Sequence, residues 1–116
     1  MELIYLYQFN INTQEFKLIE CEFISKKKIN DNYYYLRYQK NGKPHSVTRC
    51  IKEEGQPNVE RNSIFITGYY PDANQMDDFK KECIRLINEY KDKCNENINS
   101  LLQTIKVCDN AIDLLN

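Results

Sequence analysis

The chain has no tryptophan, and only three glycines and three prolines in 116 residues. So few glycines leave little room for a glycine-rich phosphate loop, and no HExxH, GxSxG or EF-hand pattern occurs. His45 is the sole histidine. No motif places a nucleophile or carboxylate beside it, so general acid–base chemistry has no visible pair and an enzyme is not expected. No run of 18 apolar residues exists, so no helix is expected to span a bilayer. The five cysteines (Cys21, Cys50, Cys83, Cys94, Cys108) form no CxxC pair and are odd in number. Neither a disulfide framework nor a metal site follows from them, and no cofactor is implied. Net charge is −1, so no global field draws the chain to membrane or nucleic acid. Met1-Glu2-Leu3-Ile4-Tyr5 is acidic where a secretory signal would be basic. The expectation is a cytoplasmic protein with free thiols.

What is present is globular: 41% hydrophobic and 28% charged residues, a mixture that buries a core. The length suits one domain, 1–116, with a β part over 1–71 and a helical part over 72–116. Ten Lys/Arg face eight Asp/Glu in the first part, and six face nine in the second. This mild split suits a solvated surface.

Glu2–Asn10 reads as a strand apolar on both faces, so it wants cover on both. Asn10-Ile11-Asn12-Thr13 reads as a turn. Phe16–Ile24 is then a second strand, in a hairpin with the first. Lys26-Lys27-Lys28 and Asn30-Asp31-Asn32 form a polar connection. Tyr33–Lys40 and His45–Lys52 flank Asn41-Gly42, whose residues suit a type I′ turn with φ > 0 at both positions. That turn sets Lys40 opposite Lys43, Tyr38 opposite His45, Leu36 opposite Val47 and Tyr34 opposite Arg49. Tyr33, Tyr35 and Arg37 fall on the other face. Glu53–Asn62 is an aperiodic loop, Ser63–Thr67 a fifth short strand, and Gly68-Tyr69-Tyr70-Pro71 its close. The fold class is α+β: a five-stranded antiparallel β-meander, open or partly closed into an SH3-like barrel, followed by a long C-terminal helix or helical hairpin.

From Asp72 onward there is no Gly and no Pro. Asp72 or Asn74 can cap the start, with Gln75 or Asp77 three residues later. Apolar residues recur from Phe79 to Leu115 as a heptad seam with one slip of phase between Tyr90 and Ile98. One rod of this length runs roughly 65 Å at 1.5 Å per residue, too long for the β part to cover. Either it breaks near Asn95-Glu96-Asn97-Ile98-Asn99 and folds back, or it packs on a second copy. The second case gives a homo-oligomer with Tyr90, Ile98, Leu101, Ile105, Cys108 and Ile112 at the interface. Cys83, Cys94 and Cys108 lie on the seam, where cysteine serves as a small hydrophobe; zinc would want ligands three or four residues apart.

The most suggestive stretch is Tyr33, Tyr35 and Arg37, with Lys26, Lys27 and Lys28 nearby. Exposed Tyr and Arg are enriched at protein-binding hot spots. A sheet face carrying them also suits stacking on bases. Lys, Asn, Ile and Tyr are abundant, as in proteins of low-GC genomes. The Tyr/Phe-rich opening Ile4-Tyr5-Leu6-Tyr7-Gln8-Phe9 and the helical tail opening on an aspartate-rich turn (Asp72 to Phe79) resemble small accessory proteins of phages and mobile elements of low-GC Gram-positive bacteria. That resemblance is one of layout. It implies a non-enzymatic, phage-encoded inhibitor that occludes or sequesters a host defence effector. The alternative is a nucleotide- or nucleic-acid-binding protein using the aromatic and basic sheet face.

Overall fold

The computed structural model describes residues 2–29, 34–51, 53–60 and 64–116, and their side chains except those of 46–51. Six strands precede one helix: β1 (Leu3–Asn10), β2 (Glu15–Lys28), β3 (Tyr34–Lys40), β4 (Lys43–Ile51), β5 (Asn58–Val59), β6 (Phe65–Tyr70) and α1 (Met76–Leu115). The class is α+β, but the sheet has six strands rather than five. Nor is it a plain meander, because the order is β4-β3-β2-β1-β6-β5. The chain runs outward from β1 to β4, then returns to lay β6 along the other side of β1. The additional strand is β5, two residues inside the stretch read as a loop. The sheet curls until β4 comes near β6 and β5. Among the described residues it does not pair with them, so the sheet stays open and no SH3-like barrel closes.

β1 sits at the centre, as its apolar faces require. On the inner face, Ile4, Leu6, Cys21, Leu36 and Tyr69 are buried together, with Ile19, Phe23 and Tyr38 packed against them. On the outer face, Tyr7 packs against Tyr70 and against Phe79 from the first turns of α1. Phe16 meets both Phe9 and Phe79. The Tyr7 hydroxyl joins the sheet to the helix start. It donates to the Asp72 carbonyl at 2.7 Å and accepts from the Gln75 N–H at 3.0 Å. Gln75 in turn accepts the Asp72 N–H on its side-chain oxygen at 3.2 Å, and its carbonyl takes the Phe79 N–H. Gln75, rather than Asp72 or Asn74, therefore stands at the cap of α1, and the Asp72–Gln75 bond closes the turn that leads into it.

Both hairpins follow from their turn residues. Asn41 and Gly42 have φ of 54° and 75°, the left-handed pair that a type I′ turn needs. Lys40–Lys43, Tyr38–His45 and Leu36–Val47 pair in the expected register, and Tyr38 stacks on His45 with ring centroids 5.4 Å apart. The register then shifts, and Tyr34 lies opposite Ile51 instead of Arg49. In the first hairpin Asn10 accepts the N–H groups of Asn12 and Thr13 on its side chain, which curls the chain into the turn. Gln14 takes the positive φ.

Two boundaries differ from expectation in a way that matters. β2 continues to Lys28, so the three lysines belong to a strand and not to a connection. β6 continues through Gly68, Tyr69 and Tyr70. Gly68 is needed there because Pro57 lies directly over it: a Cβ at Gly68 would sit 2.6 Å from the Pro57 Cβ.

The chain divides into two compact units, 1–84 and 85–116. The second is helical and unbroken across Asn95–Asn99, so the helical-hairpin alternative fails. Every one of those five residues tolerates helix, and no Gly or Pro interrupts them. From Asn88 to Asn116 every residue is exposed except the half-buried Cys94. Among the described residues, no helix is long and apolar enough to cross a membrane.

Candidate functional site

β2 and β3 carry the residues that the sequence singles out for binding other than Tyr33, and a β-bulge decides how they face. Phe23 pairs with Tyr38, but Ser25 pairs with Arg37, so Ile24 is an extra residue on β2. Strict alternation from Cys21 and Phe23 would turn Ser25 and Lys27 inward. The bulge reverses this, as such insertions do. Lys26 now pairs with Leu36 and shares the inner face, while Lys27 pairs with Tyr35 and shares the outer face with Ser25 and Arg37.

Lys26 is accordingly engaged within the fold. Its ammonium forms an ion pair with Glu53 and donates to the Tyr69 hydroxyl at 2.8 Å. It also lies 5.1 Å from the centre of the Tyr34 ring and 5.5 Å from that of Tyr69, within cation–π range. Desolvation pulls the lysine pKa down, but the bonds to Glu53 and Tyr69 outweigh it and hold it above the ordinary value. The bond from Lys26, and then one from Tyr34, holds the Glu53 carboxyl below its ordinary range. The same carboxylate raises the Tyr34 phenol. Lys26, Tyr34, Glu53 and Tyr69 thus form one polar and aromatic cluster, which locks the segment after β4 onto β2, β3 and β6.

The outer strip is different. Arg37 and Lys27 are exposed, and Tyr35 is half-buried. Lys27, Lys28, Ile29 and Tyr35 line an open depression of about 500 Å³. Among the described residues, the ring contacts of α1 go to Tyr7 on β1, Tyr70 on β6 and Phe16 at the opposite end of β2 from this strip. Tyr33 lies outside the described residues. Lys28 pairs with Tyr34 in the ladder and has an interaction of its own.

Of the residues expected at a contact surface, the structure therefore brings Lys27, Tyr35 and Arg37 together on an uncovered face and turns Lys26 away. Glu53, Tyr34 and Tyr69 are the members that sequence reasoning missed. Glu53 opens a stretch that reads as an aperiodic loop, and no glycine or proline marks the bulge that aims Lys26 at it. The residues expected at an oligomer interface (Tyr90, Ile98, Leu101, Ile105, Cys108 and Ile112) are all exposed in the single chain.

Among the described residues, no group of three or more His, Cys, Asp or Glu side chains is placed to hold a metal ion. Burial pushes the Cys21 thiol up to about 11 and Cys83 up to about 12, which makes both poor nucleophiles at neutral pH. No protein-family model, curated protein or solved structure matches the chain.

Proposed function

We propose that the chain is a non-enzymatic binding protein whose contact surface is the outer strip of Lys27, Tyr35 and Arg37, and that it acts by occluding a protein partner. The observation that carries this reading is the outward placement of Tyr35 and Arg37 on a face that the start of α1 does not cover. A large planar ring beside a guanidinium offers contact area at low entropic cost. The resemblance in layout to phage accessory proteins makes a bacterial defence effector the partner class.

A nucleotide or single-stranded nucleic acid is the alternative partner. The depression beside Tyr35 favours it, because Lys27 and Lys28 offer charge to phosphate and the ring offers a stacking surface.

The test is the double substitution Tyr35→Ala, Arg37→Ala. A partner captured from a bacterial lysate by the wild type should bind the variant roughly thirtyfold more weakly, about 2 kcal/mol. The melting temperature should stay within a few degrees, as for other surface changes. Unchanged binding by a folded variant refutes the surface. Affinity that falls steeply with added salt identifies a nucleic acid.

A further inference from the structure

We propose that the segment from Ile87 to Leu115 forms a parallel, in-register, two-stranded coiled coil with a second copy of this chain. The phase slip between Tyr90 and Ile98 is a handover between two seams. One seam, through Phe79, Cys83 and Leu86, is buried within the single chain. The other begins at Ile87 and keeps alternating steps of four and three residues to Leu115 without a slip.

In that frame Ile98, Ile105 and Ile112 fill the first position of successive heptads, and Leu101 and Leu115 the fourth. β-Branched residues at the first position with leucine at the fourth favour two parallel strands over three or four. Ile98, Leu101, Ile105 and Ile112 are between 53% and 64% exposed, so the single chain leaves this seam open. Four heptads of it reach the length at which such a pattern sustains a coil.

Lys91 fixes the alignment. It occupies a first position one heptad before Ile98, and a lone lysine there specifies register and strand number at some loss of stability. In register, the two Lys91 side chains meet each other and extend their charges outward along their own stems. In a slipped or antiparallel alignment, each would sit against an apolar knob, doubling the mismatches. The flanking positions raise no objection to the parallel form. They would set Tyr90 against Asn95, Asn97 against Leu102, Thr104 against Asp109 and Ala111 against Asn116, with no like charges opposed. Cys94 and Cys108 are both fourth-position residues, 14 residues apart, so each would face its own counterpart.

Sedimentation equilibrium of the full chain under reductant, over about 1–100 µM, should give a dimer mass. Mild oxidation with diamide, which takes two electrons and two protons from each thiol pair, should then link Cys94 to Cys94 and Cys108 to Cys108. Peptide mass spectrometry reads the pairs. Ile105→Asp should raise the dissociation constant at least about thirtyfold. Lys91→Ile should tighten association and admit larger assemblies. A monomer mass across the range, a trimer of the wild type, or a Cys94–Cys108 link would each overturn the proposal. That mixed link cannot form within one straight helix, so it would report antiparallel chains.

Discussion

Tyr7 and Tyr70 touch, with ring centroids 4.9 Å apart and planes at 77°, and replacing either by phenylalanine removes one oxygen. The two substitutions should have opposite signs. The Tyr7 hydroxyl makes two hydrogen bonds to backbone groups at the start of α1. Tyr7→Phe keeps the ring packing and leaves the Asp72 carbonyl and the Gln75 N–H without that partner. An unsatisfied buried group costs about 1–3 kcal/mol. Both bonds are only partly buried, so the loss should be roughly 2 kcal/mol. The Tyr70 hydroxyl is buried and has no hydrogen-bond partner among the described residues, and desolvation drives its pKa well above the ordinary phenol value. Tyr70→Phe removes a group whose burial nothing compensates, so it should stabilise by roughly 1 kcal/mol. For a unit of this size, 1 kcal/mol corresponds to about 4–8 °C in melting temperature. Urea denaturation followed by circular dichroism, with a thermal melt on the same samples, measures both. Equal destabilisation by the two substitutions, or a reversed order, would refute the assignment of the helix-start bonds to Tyr7.

Gly68→Ala should destabilise by about 2–4 kcal/mol, because the new Cβ meets Pro57 at 2.6 Å and its Cα at 2.9 Å. Pro57 cannot withdraw without straining the Gly55 N–H bond to Tyr69; a melting temperature within about 3 °C of wild type would contradict this. The Lys26–Glu53 pair should show acid sensitivity. Glu53 titrates below its ordinary value of 4.5 when folded, so its contribution is present above that pH and lost as pH falls through the folded value. Lys26 titrates above 10.5, so its contribution is lost only as pH rises beyond that. The gap in melting temperature between wild type and Glu53→Gln should therefore be steady near neutrality and close in acid. A gap that persists when the carboxylate is protonated would count against the pair. Thiol labelling of the folded chain at neutral pH should modify exposed Cys108 first, and Cys21 and Cys83 only on unfolding; rapid labelling of either buried thiol would contradict the packing.

Much of the β unit was legible because its signals are local. Asn41-Gly42 set both the turn and the register over Leu36–Lys40. The two-faced apolar pattern of β1 put it at the sheet centre, and the polar residues after Pro71 marked the approach to the helix, although its cap is Gln75 rather than Asp72 or Asn74. The failures share a cause in tertiary pairing. Asn58 and Val59 become strand only because β6 lies beside them, and two residues carry no period. Ile24 bulges although nothing in its side chain requires it, and that hid the inward turn of Lys26 and the role of Glu53. The helix was read with a slip because two seams, one buried and one exposed, interleave on the same sequence.

The extra residue at Ile24 also makes β2 sensitive to register in a way that it is not to composition. Substitutions on either side leave the parity of the strand intact. Pairing Ile24 with Arg37 instead of leaving it unpaired, a slip of one residue, would restore strict alternation, carry Lys27 inward and swing Lys26 to the surface, exchanging an internal clamp for a surface charge. Because the three lysines are chemically identical, the swap would be almost silent at the level of side-chain chemistry. What would change is which neighbour each lysine meets, and Tyr35 would lose its outward alignment with Lys27. Loss of Ile24 itself would keep every pair beyond it in place, so homologues of this chain one residue shorter at that point should retain the inward Lys26 and the outward Lys27.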